Sequence, residues 1–250
     1  MPVRAVLFDL DDTLIDWSGF IGNWYEIEPR HLNYVYDYLI ATVGELRVDV
    51  AGFIEEFNRR SNDSWRNARQ TMVSPHIGNI LVDTAAWLGA PREQLDGDAL
   101  MDAYRWQVVP GTTLFPEVHG VLRGLRAEGL TLGLITNSYL PMRMRDAELI
   151  GHDLIEFFDQ CRYSAADAGY LKPHANVFMT ALKSINVDPS EAVFVGDNLT
   201  ADVMGAKGVG MRAVWRMHDH SATQPDRFSQ PDYIIRSLDE LPALLARWSS

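Results

Sequence analysis

Past Pro110-Gly111 the chain alternates short apolar runs with longer amphipathic stretches, and this rhythm restricts the fold more than any other feature. Pro116 suits the first turn of a helix and Gly129 its end. Leu130 to Ile135 is an apolar run stopped by Thr136-Asn137-Ser138. A helix follows, then a short strand near Asp159–Tyr163, then a helix over roughly 174–186. Ala192 to Val195 is another run, stopped by Gly196-Asp197-Asn198. Met211 to Trp215 and Tyr233 to Ile235 read as further strands, and the polar stretch 217–231 as a surface loop. The N-terminal run Val3 to Phe8 ends in Asp9-Leu10-Asp11-Asp12-Thr13, as a buried parallel strand does when it enters a functional loop. Repeated strand–helix units predict an α/β fold with a doubly wound parallel sheet.

The intervening segment follows a different period. Leu32, Val35, Tyr36, Leu39, Ile40 and Val43 are spaced as on a helix, and so are Val50, Phe53, Ile54 and Phe57, with Asp49 placed as an N-cap. Ile77, Ile80, Leu81, Ala85 and Leu88 form a third series closed by Gly89. Residues 93–108 are expected to form a fourth helix, and no strand is expected between about 16 and 110. The division is therefore an α/β core over 1–15 and 112–250 and an all-α insertion with its own small core over 16–111.

Composition narrows the function. With 22 basic and 34 acidic residues, the formal net charge is -12. Such a chain repels nucleic acid and anionic membranes at long range, so neither is expected as a partner. A bound phosphate needs local positive charge or a metal. Lysine is scarce: only Lys172, Lys183 and Lys207. The single cysteine, Cys161, excludes an intramolecular disulfide and a cysteine-based zinc site. No stretch approaches the ~20 apolar residues of a membrane span. A cytoplasmic protein is expected.

Ligands of open α/β sheets bind at the carboxyl ends of the strands. Three apolar runs here end in polar residues: Asp9-Leu10-Asp11, Thr136-Asn137 and Gly196-Asp197-Asn198. Asp9 and Asp11, two apart, reach the same space and suit a division between nucleophile and acid/base. Asp197 adds a third carboxylate, and a few carboxylates with water describe a magnesium site. Asp-x-Asp on its own reads equally well as a polar turn.

In sum, Phe8-Asp9-Leu10-Asp11-Asp12-Thr13-Leu14, Leu134-Ile135-Thr136-Asn137, Lys172-Pro173 with Phe178, and Val195-Gly196-Asp197-Asn198-Leu199-Thr200-Ala201-Asp202 through Gly205-Ala206-Lys207 resemble, in order, four motifs of the haloacid dehalogenase-like hydrolases. The resemblance covers about 1–15 and 112–240, and the helical insertion is similar in position and character to that family's helical cap. It implies a Rossmann-like core and a catalytic cycle. Asp9 would attack phosphorus and form an aspartyl-phosphate. Asp11 would protonate the leaving oxygen and then deprotonate water. Mg2+ would sit on the Asp9 carboxylate, the Asp11 carbonyl and Asp197. Thr136 and the Asn137 amide would bind phosphoryl oxygens, and Lys172 would neutralise the nucleophile and the phosphoryl group. Asp202 would position Lys172 or metal-bound water, and Thr13 would shape the loop. Asp12 is expected to be a solvated carboxylate. The segment Ser164–Leu171 is one residue longer than the common pattern, with Leu171 where a basic residue is frequent, so the loop presenting Lys172 is expected to sit differently.

The resemblance implies a phosphohydrolase acting on a small phosphorylated metabolite. Asp11 argues against a dehalogenase, because halide leaves without an acid, and the lack of any lysine over 15–115 argues against a Schiff-base phosphonate hydrolase. A phosphomutase, a dehalogenase and a non-catalytic binding protein on the same fold remain alternatives. Within the insertion, Arg66 and Arg69 lie one helical turn apart, and the sharper of two readings has them bind an anionic or sugar part of the substrate. The other reading makes them exposed arginines. His31, His76, His119 and His174 lack metal-ligand spacing and are expected to be structural. Trp17, Trp24 and Tyr25 are expected to pack at the hinge or cap.

Overall fold

The computed structural model describes residues 2–218, 225–226 and 229–249, the side chains of Trp24, Tyr25 and Ser249 excepted. Much of the expected loop 217–231 and the side chains of Trp24 and Tyr25 thus lie outside the described residues. Six strands form one parallel sheet: β1 (Ala5–Phe8), β4 (Thr131–Thr136), β5 (Arg162–Ser164), β6 (Ala192–Gly196), β7 (Arg212–Arg216) and β8 (Tyr233–Ile235). Their order is β5-β4-β1-β6-β7-β8, with Phe8 level with Leu134 on one side and Val195 on the other. All four β1 residues are buried, because a strand covered on both faces has no polar side to present. Val6, Phe8, Leu134 and Val195 pack against α5 (Val118–Ala127), α6 (Met142–Gly151) and α10 (Leu241–Ser249). Ala5, Leu7, Ile135 and Phe194 face α8 (Ala175–Ser184), a π-helical turn over Leu199–Met204 and α9 (Gly205–Gly208).

Two sequence boundaries move. The strand expected near Asp159–Tyr163 is β5, which starts at Arg162, because Ile155–Phe158 forms a 3-10 turn that buries Phe158 in the core. Pro116 precedes α5 and stands outside its first turn, with Glu117 as the N-cap.

A two-stranded antiparallel ribbon, β2 (Ile15–Asp16) with β3 (Thr113–Leu114), carries the chain out of the core and back. Just beyond it the two linkers touch: Gly111 has a φ of 88°, and a β-carbon there would collide with the carbonyl oxygen of Gly19. Between them lie α1 (Trp24–Val43), α2 (Val50–Thr71), α3 (Ile77–Trp87) and α4 (Gly97–Tyr104). Asp49 caps α2 by accepting from the Gly52 N–H at 3.0 Å. The helix expected over 93–108 is shorter: Asp96 caps its start, and Arg105, with a φ of 54°, ends it. Leu32, Leu39, Phe53, Phe57, Leu81 and Tyr104 are fully buried in the cap, and Leu140 and Met144 of the core domain join the same cluster. Each such side chain contributes about 1.5–3 kcal/mol by leaving water. Among the described residues, no helix is long and apolar enough to cross a membrane.

Candidate active site

The three strand ends singled out in the sequence are neighbours, since β4, β1 and β6 adjoin in the sheet. The site is built at their carboxyl edge. Lys172 lies 3% exposed at its centre. Its ammonium donates to Asp9 Oδ1 at 2.7 Å and to the Ile135 carbonyl at 2.9 Å, and pairs with Asp202 Oδ1 at 2.7 Å. Burial alone would lower the lysine pKa, but Asp202 and Asp9 outweigh it and raise it, so the ammonium keeps its charge. The loop before it does not displace Lys172 from this position. Residues Ala165–Ala168 form a short helix, α7, opened by a Ser164/Asp167 capping box, and Gly169 turns the chain at its end with a φ of 79°. The Asn137 side chain then clamps the lysine loop from both sides, accepting from Lys172 N at 2.7 Å and donating to Lys172 O at 3.0 Å.

Oxygens of Asp9, Asp197 and Asp202 lie within 4.8 Å of one another. Gly196 lets them meet: a β-carbon there would collide with the Asp202 carboxylate. Asp202 Oδ2 also accepts from the Asn198 N–H at 2.9 Å, and the buried Trp215 indole donates to the Asp197 carbonyl at 2.7 Å. One lysine does not neutralise this crowd. Burial first, then Asp202, Asp11 and Asp197, hold the Asp9 pKa well above the usual carboxylate range despite Lys172. Burial, Asp202 and Asp12 push Asp197 up to about 7. Crowded, under-neutralised carboxylates fit a hard divalent cation such as Mg2+, which oxygen donors bind.

Asp11 is in a different environment. Its carboxylate accepts from Arg145 Nη2 at 2.8 Å and Nη1 at 3.2 Å, from the Trp17 indole at 2.9 Å and from the Thr136 hydroxyl at 3.4 Å. Burial opposes the charge, but Arg145, Trp17 and Lys172 outweigh it and the Asp11 pKa falls. Asp12 is a turn residue more than a solvated one. It has a φ of 56°, its Oδ1 accepts from the Trp17 N–H at 3.2 Å, and its carbonyl lies 2.6 Å from His218 Nε2. The Thr13 carbonyl accepts from buried Arg216.

Other expectations divide. Arg66 and Arg69 are exposed on α2, and Arg66 pairs with Asp63 at 3.0 Å. The half-buried α2 side chain that meets the core is Trp65, whose ring lies 6.0 Å from that of Tyr139, just past β4. His76 and His174 cap α3 and α8, and His31 contacts the Tyr104 carbonyl at 2.8 Å. The residues missed from sequence are Arg145, Glu148, Trp106 and the Asn137 side chain. Arg145 and Glu148 sit in Met142-Arg143-Met144-Arg145-Asp146-Ala147-Glu148, which carries no apolar stripe to betray a buried face.

Lysine, paired aspartates and sheet order agree with the sequence comparisons. A profile of the haloacid dehalogenase-like hydrolases matches residues 3–210. The chain belongs to that family. It is 35% identical, over 98% of its length and 94% of the relative's, to a glyceraldehyde 3-phosphate phosphatase of Pyrococcus furiosus. It is 28% identical, over 97% and 92%, to a phosphoglycolate phosphatase of Escherichia coli. Its fold is similar to the crystal structure of a 2-haloacid dehalogenase from Pseudomonas syringae, with a TM-score of 0.65, 29% identity, and 98% and 99% of the two chains covered.

Proposed function

We propose that the protein is a Mg2+-dependent phosphatase that cleaves a small phosphate monoester through an aspartyl-phosphate on Asp9. The observation that carries this reading is the buried Lys172 ammonium shared by Asp9 and Asp202, with Asp197 completing the carboxylate cluster. Asp9 and Asp197, with the Asp11 carbonyl, would hold Mg2+, which offsets the repulsion between an anionic nucleophile and an anionic phosphate. Asp9 attacks phosphorus while Lys172 fixes its carboxylate and draws charge from the phosphoryl oxygens. The Thr136 hydroxyl and the Asn137 amide orient those oxygens. Asp11 gives a proton to the leaving oxygen and takes one from the water that cleaves the aspartyl-phosphate. Asp202 keeps Lys172 in place.

The named activities of the curated relatives, on glyceraldehyde 3-phosphate and phosphoglycolate, support a compact phosphorylated metabolite. A dehalogenase has no use for Asp11 as an acid. The test is phosphate release from p-nitrophenyl phosphate and a panel of small phosphate esters, with Mg2+ or EDTA, for wild type and Asp9→Asn, with 2-chloropropionate as the rival substrate. Mg2+-dependent ester turnover that Asp9→Asn abolishes is expected. Chloride release without phosphate release would overturn the reading.

A further inference from the structure

The side chains around Asp11 extend well beyond the site. Arg145 is 5% exposed and Glu148 0%, one turn apart on α6. Arg145 Nε pairs with Glu148, and its two terminal nitrogens grip both oxygens of Asp11. Glu148 in turn accepts from the Trp106 indole at 2.8 Å. Trp106 lies in the linker that returns from the cap, and Trp17, on the other side of Asp11, lies in the linker that leaves for it. The contacts therefore run unbroken from one linker to the other: Trp106, Glu148, Arg145, Asp11, Trp17.

Placing an arginine and a glutamate out of water is costly unless their geometry is good and every partner is supplied. Here the arginine fork is matched to a carboxylate in the bidentate way that fixes its plane as well as its distance. Among the described residues the Asp11 carboxylate accepts four hydrogen bonds, from two guanidinium nitrogens, an indole and a hydroxyl. These contacts fix the plane and the position of the carboxylate.

We infer that Arg145, braced by Glu148 and Trp106, is a positioning residue that aims the Asp11 carboxylate, and that this brace ties the aim to the seating of the cap linkers. The inference rests on the phosphatase reading for its kinetic consequence. In the second half of the cycle the Asp11 carboxylate takes a proton from water as the water oxygen bonds to phosphorus and the Asp9 oxygen–phosphorus bond breaks. Free phosphate and the Asp9 carboxylate result, and the proton now on Asp11 is the one given to the next leaving oxygen. Arg145 acts through Asp11, whose two carboxylate oxygens it holds.

The experiment pairs rapid-mixing kinetics on p-nitrophenyl phosphate with a nitrogen–proton correlation spectrum of the tryptophan indoles, on Mg2+-loaded wild type, Arg145→Lys and Trp106→Phe. Nitrophenolate departs without a proton, so the burst reports formation of the aspartyl-phosphate and the steady rate its hydrolysis. Arg145→Lys is expected to slow the steady rate about 10-fold or more while the burst rate stays within about 3-fold, and Trp106→Phe to slow the steady rate about 3-fold. Trp106→Phe keeps the ring and so guards against a variant that fails to fold. The Trp17 indole signal, identified with Trp17→Phe, is expected to move in both variants. Equal slowing of burst and steady rate in Arg145→Lys would mark a general structural defect and overturn the inference, as would a Trp17 signal unmoved in both variants. Wild type inactive on every ester, with the Trp17 signal still moving, would remove the phosphatase reading and leave the brace standing.

Discussion

In the sheet, every residue of Ala5–Phe8 is buried, and the functional groups hang from strand ends whose neighbours are fixed by register. In the cap, α2 runs for 22 residues and buries only Phe53, Glu56, Phe57 and Ala68. The core thus holds its chemistry with main-chain geometry on all sides, whereas α2 is held by a thin apolar seam and a few contacts to the loops after β4 and β5. Changes in the core should abolish chemistry, and changes in the cap should alter substrate capture or stability. The difference is open to direct attack.

The largest effect is expected from Asp9→Asn. Turnover should fall by at least ~10³-fold, as for other covalent nucleophiles, while melting temperature holds or rises because a carboxylate with a raised pKa has been removed. An unfolded variant in circular dichroism would break the separation of chemistry from stability. Lys172→Ala should reduce turnover ~10²–10³-fold and, unlike Asp9→Asn, cost roughly 3–5 kcal/mol in urea unfolding, because it strands buried Asp202 without its cation. In the cap, Phe57→Ala should cost about 3–5 kcal/mol by leaving a cavity. Hydrogen exchange should rise in α1 to α4 far more than in β1 or β6; equal loosening of the sheet would show that cap and core unfold as one.

A weaker effect should follow from pH in the absence of metal. Asp197 is raised from an ordinary 3.8 to about 7, so the folded protein binds a proton that the unfolded chain releases. That contribution to stability is complete below the ordinary value and lost as pH rises through about 7. In EDTA, melting temperature should decline between about pH 5 and pH 8, and Mg2+ should restore more at the upper end than at the lower. The smallest change is expected from Arg66→Ala with Arg69→Ala. Both side chains are exposed, and KM should stay within ~2-fold. A large rise in KM would mean that these two arginines meet substrate.

Much of the core was legible because its signals are local. An apolar run ending in Asp-x-Asp is readable wherever it lies, and burial on both faces makes Ala192–Gly196 equally plain. The roles carried over for Asp9, Asp11, Thr136, Asn137, Lys172 and Asp197 rest on those local motifs, and the fold gathers these residues at one sheet edge. Arg145 and Glu148 were not legible, because charged residues on a helix default to the surface and only tertiary packing turned them inward. The end of α4 was misread because Trp106, Val108 and Val109 extend the apolar pattern past the point where Arg105 leaves the helix. Asp12 was misread because its carboxylate serves the backbone of Trp17, a contact set by a tight turn and invisible to composition.

The loop carrying Lys172 meets the cap through main-chain atoms. Leu171 N–H donates to the Met72 carbonyl at 2.9 Å, Ser74 N–H donates to the Gly169 carbonyl at 3.0 Å, and Val73 and Tyr170 pair between them. Amide groups are common to all residues except proline, so this seam does not depend on which side chains flank it. The cap can therefore drift in sequence without losing its register against the lysine. Side chains along this seam are free to change over generations while the main-chain contacts stay fixed.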